Sequence, residues 1–240
     1  MERRIINLQK NTDSEPNFTL KQFLQNPTGK NTSYMSSREK IKENLTVNYL
    51  KLLKQNKGKF ETKIFRLEKD RYLFWFQIPS EKFPDFFYDV CLEFTLSEVR
   101  SLYDANIKFF SNSPNFMFTY TYVLNQMNLL VDFLKTKCSS IALKDAPNIK
   151  NPIESFGFEK SCYFAALYIK DMSLYKLDTV EKNALKFDKN LLLSKIKSSE
   201  EKLKEYNKRK KAVQKEKKTT TKKATVAKES KPKKTSNKPK

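Results

Sequence analysis

The chain has 240 residues, with 48 Lys and Arg against 27 Asp and Glu, a net charge of +21, and no histidine. That length is ample for one domain with a real core, while the missing imidazole excludes His-dependent triads, His-ligated metal and the usual general base at neutral pH. No apolar run approaches the roughly 18 residues of a membrane span, and Met1-Glu2-Arg3-Arg4 is not followed by an apolar signal region, so a soluble, unexported protein is expected.

The charge is concentrated at one end: 22 of the 48 Lys and Arg, but only seven of the 27 Asp and Glu, lie after residue 180. Aromatics run the other way, and none follows Tyr206. A core-forming body is therefore followed by a chain with little to bury. Cys91, Cys138 and Cys162 are odd in number and lack C-x-x-C spacing, which reads as small buried hydrophobes in a reducing compartment.

Residues 1–35 form an N-terminal arm, in which Phe18, Leu20, Phe23 and Leu24 dock a short helix. Within it, Gly29-Lys30 resembles the end of a phosphate-binding loop. However, Leu24 stands where the first glycine is needed, and Asn31 stands where Ser or Thr must bind the metal. Ser36 with Glu39 gives a capping-box signature, Ile41, Leu45, Tyr49, Leu52 and Leu53 recur at helical spacing, and Gly58 supplies the stop.

Lys59–Leu67 and Arg71–Pro79 alternate in hydrophobicity across a short polar link and predict a hairpin. Tyr88–Leu96 alternates again, with Val90, Leu92 and Phe94 on one side and Asp89, Cys91 and Glu93 on the other, as a half-buried antiparallel strand does. Asn106–Ser111 and Asn115–Leu124 read as two further strands joined by a turn at Asn112-Ser113-Pro114. The sheet then has about five strands, near the modal size.

Met127, Leu130, Val131, Leu134 and Cys138 restore helical spacing, and after a loop with Pro147 and Pro152 so do Phe158, Cys162, Ala165, Ala166 and Ile169. Leu185, Leu192, Ile196, Leu203, Tyr206 and Val213 form one apolar stripe on a charged segment, a long amphipathic helix of about 50 Å if unbroken. The expected organisation is an α+β core at 36–180 with an antiparallel sheet and flanking helices. An amphipathic helix follows at 181–216, fraying from Asn207 onward, and a disordered Lys-rich tail at 217–240.

The C-terminal charge is the strongest functional signal. From Asn207 to Lys240 there are 15 Lys and Arg against only Glu216 and Glu229. Lysines are flexible point charges suited to phosphate contact without sequence readout, and counterion release makes such binding salt-sensitive. The candidate nucleic-acid contacts are Lys208, Arg209, Lys210, Lys211, Lys215, Lys217, Lys218, Lys222, Lys223, Lys231, Lys233 and Lys234. An anionic membrane would call for bulky apolar anchors that this segment lacks.

Other constellations carry less. Phe116, Phe118, Tyr120 and Tyr122 place four rings on one strand face, which could stack bases, although the same face serves as an ordinary core face and that reading is preferred. Asp85, Asp89 and Glu93 recur every four residues, but on a strand they stand about 13 Å apart, too far for one cation, and read as a solvated face. Ser161 beside Lys160 does not make a nucleophile pair, because adjacent helix residues do not face each other. No catalytic residue, metal or cofactor is expected.

The stretch Lys108-Phe109-Phe110-Ser111-Asn112-Ser113-Pro114-Asn115-Phe116-Met117-Phe118-Thr119-Tyr120 stands out in the body, as does Asn151-Pro152-Ile153-Glu154 followed by Glu159-Lys160-Ser161. With Ser36-Ser37-Arg38 and Tyr88-Asp89-Val90, these stretches resemble virion structural proteins of tailed bacteriophages, over about residues 30 to 170. The resemblance implies a non-enzymatic head, neck or connector component, made in the host cytoplasm and residing in the virion. Its partners would be other virion proteins, copies of itself and the packaged DNA. The competing expectation is a free, non-sequence-specific DNA- or RNA-binding protein.

Overall fold

A computed structural model describes residues 18–25, 35–83, 85–145 and 159–229. Its centre is a five-stranded sheet of β1 (Glu61–Glu68), β2 (Arg71–Pro79), β3 (Phe87–Thr95), β4 (Asn106–Ser111) and β5 (Ala184–Lys186), in the order β4-β3-β2-β1-β5. The hairpin forms where alternation places it, with Thr62 opposite Phe76 and Ile64 opposite Phe74. Both faces of the sheet are covered, which explains why β2 reads as an almost continuous apolar run rather than a clean alternation.

On one face, Tyr72, Phe74, Phe76, Ile78, Val90, Leu92 and Phe94 pack into a large core. Helices α1 (Leu20–Gln25), α2 (Met35–Gln55) and α6 (Lys160–Asp171) contribute the opposing side chains. Helix α6 is hydrophobic nearly all round, as a helix buried between neighbours must be. Gly58, at φ +77°, ends the α2 segment by donating its N–H to the Leu53 carbonyl at 2.9 Å, a left-handed cap that disfavours any Cβ. On the other face, Leu73, Trp75, Cys91 and Phe110 meet Val131 and Leu134 of the 3-10 turn region at Asp132–Lys137, and Leu192 and Ile196 at α8 (Lys189–Lys195).

The docked arm is part of this body. Phe18, Leu20, Phe23 and Leu24 are all buried, the Phe23 and Phe109 rings meet edge-on at 4.9 Å, and Ile107 N–H donates to the Phe18 carbonyl at 2.8 Å. These contacts cover part of the outer edge of β4, where an unpaired strand would otherwise invite aggregation. Phe18, Leu20, Phe23 and Leu24 are thus spent internally.

Several expectations are corrected. Asn115–Leu124 is not a strand but two short helices, α3 (Pro114–Thr119) and α4 (Thr121–Gln126). Ser113 is an N-cap whose Oγ accepts from Phe116 N–H at 3.1 Å, and Pro114 occupies the first turn, where its missing N–H costs nothing. The fifth strand is instead β5, whose three residues pair with Ile64–Arg66 in parallel, so the sheet is mixed at that edge and antiparallel elsewhere.

The helix expected from Met127 to Cys138 is interrupted. Asn128 adopts φ +53°, Leu130 bridges Phe109, and only a 3-10 helix and α5 (Ser140–Lys144) follow. The long helix expected from Leu185 is also broken. After α7 (Leu177–Asn183) and β5, Asp188 caps α8 through Leu191 N–H at 3.0 Å. Ser198 and Glu201 then form a reciprocal capping box that starts α9 (Ser199–Glu229). Leu192 and Ile196 are buried in the body, so those two positions of the apolar stripe belong to the chain's own core, while Leu185 is exposed.

Helix α9 continues through the segment expected to be unstructured from Lys217, as far as Glu229. Its Lys, Ala and Glu content favours helix, and no glycine or proline interrupts the sequence before Pro232. No helix among the described residues is long and apolar enough to cross a membrane.

Candidate nucleic-acid interface

The described residues divide into two compact units, one up to Lys202 and one from Leu203 onward. The second unit contains most of α9 and with it most of the expected phosphate contacts. Lys208, Lys210, Lys211 and Lys215 are exposed and Arg209 is half-buried. Lys217, Lys218, Lys222 and Lys223 are in the helical backbone of α9, and Lys231, Lys233 and Lys234 lie outside the described residues.

Helical phase sorts these positions. Lys204, Lys208, Lys211, Lys215, Lys218 and Lys222 follow one another at steps of four and three, so they share one face within an arc of about 80°. At 1.5 Å per residue that row is about 27 Å long. It stands opposite the line of Tyr206 and Val213, while Arg209, Lys210, Lys217 and Lys223 fall elsewhere around the helix. Lys204 was not among the expected contacts, although its four-residue offset from Lys208 was there to be read.

At the root of α9, within the first unit, polar contacts are specific. Lys202 donates to the Phe87 carbonyl at 2.8 Å and sits 5.0 Å from the centre of the Phe86 ring. Asn112 donates to the Lys197 carbonyl at 3.0 Å and to Asp89 Oδ2 at 2.7 Å, and it accepts from Asp89 N–H at 2.9 Å. Trp75 Nε1–H donates to the other Asp89 oxygen at 3.2 Å. Burial pushes the Asp89 carboxyl above its ordinary value, against the opposing pull of Lys202 and these donors.

The acidic residues on β3 therefore do not form the expected solvated face. Asp89 is 3% and Glu93 2% exposed, because the second face of the sheet lies under its own layer. Glu93 is paired with Arg71 at 2.6 Å, and only Asp85 of the three is exposed. Among the described residues, no group of three or more His, Cys, Asp or Glu is placed to hold a metal ion.

The four-ring face also dissolves. With α3 and α4 in place of a strand, Phe116 and Tyr120 are buried, Tyr122 is half-buried, and Phe118 alone is largely exposed, at 48%. They offer no platform for successive bases.

Ser161 lies not beside Lys160 but against Glu159, whose carboxylate accepts from Ser161 N–H at 2.8 Å, from the Ser161 hydroxyl and from Cys162 N–H at 3.3 Å. Ser111 Oγ lies 3.2 Å from Ser161 Oγ, and Lys160 pairs outward with Glu81. All of Glu159, Ser161 and Ser111 are buried, and the geometry is that of a helix N-cap, with the charge held by amides at the start of α6. Burial raises the Glu159 carboxyl above its ordinary value.

Cys91 and Cys162 are buried with no disulfide, and burial pushes both thiols far up; half-buried Cys138 is pushed up to about 12. They are packing groups in this fold. No family model, curated protein or solved structure matches the chain, so the lysine row of α9 stands as the candidate site on its helical phase alone.

Proposed function

We propose that the chain is a non-enzymatic structural or assembly protein of a tailed-phage particle that holds nucleic acid through α9 and the basic sequence beyond it. The carrying observation is the density of cations on a surface helix: from Asn207 to Glu229, α9 carries ten Lys and Arg against Glu216 and Glu229. Such an array binds phosphate backbones without reading bases.

The virion assignment rests on the resemblance over the body. Protein contacts there draw on exposed apolar residues that remain after Phe18, Leu20, Phe23, Leu24, Leu192 and Ile196 are used internally, notably Val47 and Leu50 on one face of α2. The particle's other proteins, or further copies of this chain, are the proposed partners.

Two measurements test this. Full-length protein should bind mixed-sequence DNA with an affinity that falls steeply with salt, and mass spectrometry of purified particles should detect it. Binding without presence in particles would favour a free DNA- or RNA-binding protein. Absence of binding at low salt would overturn the nucleic-acid assignment.

A further inference from the structure

Resting on that reading, we infer that α9 recognises duplex rather than single-stranded nucleic acid, through the one-faced row Lys204, Lys208, Lys211, Lys215, Lys218 and Lys222. A disordered polycation has no faces, and each of its lysines is equivalent to the next. A helix fixes the backbone positions from which its charges extend.

Here the six lysines rise by about 5.4 Å per turn along a straight edge of about 27 Å. Duplex DNA presents a rigid array with one charge per about 1.7 Å of axis, so a straight row of ammonium groups meets many phosphates without bending either partner. The match carries no base information, because lysine is a point charge without the fork that reads guanine.

A single strand calls for different chemistry. General single-strand binders combine a cationic groove with aromatic rings for successive bases to stack on. No aromatic residue follows Tyr206, and the Phe116–Tyr122 segment, which would have supplied a stacking strand, is folded into α3 and α4 with two of its four rings buried. Between Tyr206 and Glu229 the only bulky apolar residues are Val213 and Val226, too few to seat the helix in a lipid interface.

The test compares two full-length variants of equal charge. One replaces Lys208, Lys211, Lys215 and Lys218 by Gln; the other replaces Lys210, Lys217, Lys223 and Lys228 by Gln. Lysine and glutamine have similar helix propensity, and circular dichroism checks that helicity is preserved in both. Affinities for a 20-base-pair duplex, the corresponding single strand and phosphatidylserine vesicles are measured at several salt concentrations.

The row variant should lose about tenfold or more affinity for duplex beyond the loss of the off-row variant, and its log–log salt slope should flatten by about 3 to 4, as expected for four phosphate contacts. The wild type should prefer duplex to single strand. Equal losses in the two variants, within threefold, would make the segment an undirected polycation and overturn the inference, as would single-strand binding as tight as duplex binding. Vesicle binding tighter than duplex binding, with the same dependence on the row, would reassign the face to a membrane and overturn it too. Failure of the wild type to bind any nucleic acid would instead remove the proposed function beneath it.

Discussion

Asn112→Ala is the most informative single change in the body. Asn112 is fully buried and makes three side-chain hydrogen bonds that join β3, the entry to α3 and the connection between α8 and α9. Truncation leaves Asp89 N–H without its acceptor and removes the shortest donor from a carboxylate that is already 3% exposed. Each buried group so stranded costs about 1–3 kcal/mol, while the Lys197 carbonyl, nearer the surface, regains water. The sum is about 2–6 kcal/mol, a large fraction of the 5–15 kcal/mol typical of a domain.

Urea unfolding followed by the fluorescence of Trp75, the chain's only tryptophan and itself a donor to Asp89, reads the change directly. Asn112→Asp is the companion: a second carboxylate against Asp89 should be more harmful at pH 7 and should recover as the pH falls and one of the pair takes a proton. A loss below about 0.5 kcal/mol for the alanine variant, with an unchanged denaturant slope, would refute the claim that this network stabilises the fold.

Ser113→Ala should cost about 0.5–2 kcal/mol through loss of the α3 cap, and an unaltered midpoint would mean the cap is dispensable. In Glu159→Gln the amide oxygen can still accept from the start of α6. Because burial raises the native carboxyl, the folded state binds more protons than the unfolded state between the ordinary and the raised value, so this group's contribution declines as pH rises through that window. The glutamine variant should therefore gain stability relative to wild type over the same rise, and parallel pH profiles would contradict this. Cys91 and Cys162 should resist a thiol-specific reagent at pH 8 until the protein is unfolded; rapid labelling of either in the native state would conflict with their burial.

The hairpin and α6 were legible although neither period is clean: Tyr72, Phe74, Phe76 and Ile78 alternate across a short polar link, and Cys162, Ala165, Ala166 and Ile169 recur at helical spacing. Phe116 to Leu124 was not, since Phe116, Phe118, Tyr120 and Tyr122 alternate while Phe116, Tyr120, Val123 and Leu124 also satisfy helical spacing. The deciding signal was local, Ser113-Pro114 at a helix start, and it resembles a turn equally well. Strand β5 is three residues long, too short for any period, and exists only through pairing with Ile64–Arg66.

Asp89 and Glu93 follow the polar side of an alternating strand, and the signal that a further layer covers that side lies in the neighbouring strand, where Leu73 and Trp75 break the alternation. The lysines of α9 were legible as charge. Beyond Glu216 their arrangement on a face was not, because Thr219-Thr220-Thr221 and the low-complexity sequence around it argue for coil, whereas the absence of glycine and proline permits helix.

If α9 engages phosphate backbones, duplex binding by the full-length protein must weaken steeply as salt rises. Six contacts predict a slope of log affinity against log salt of about −5, steepening toward about −13 if all 15 cations from Asn207 onward take part. A slope shallower than about −2 would show that phosphate contacts are not what holds the nucleic acid.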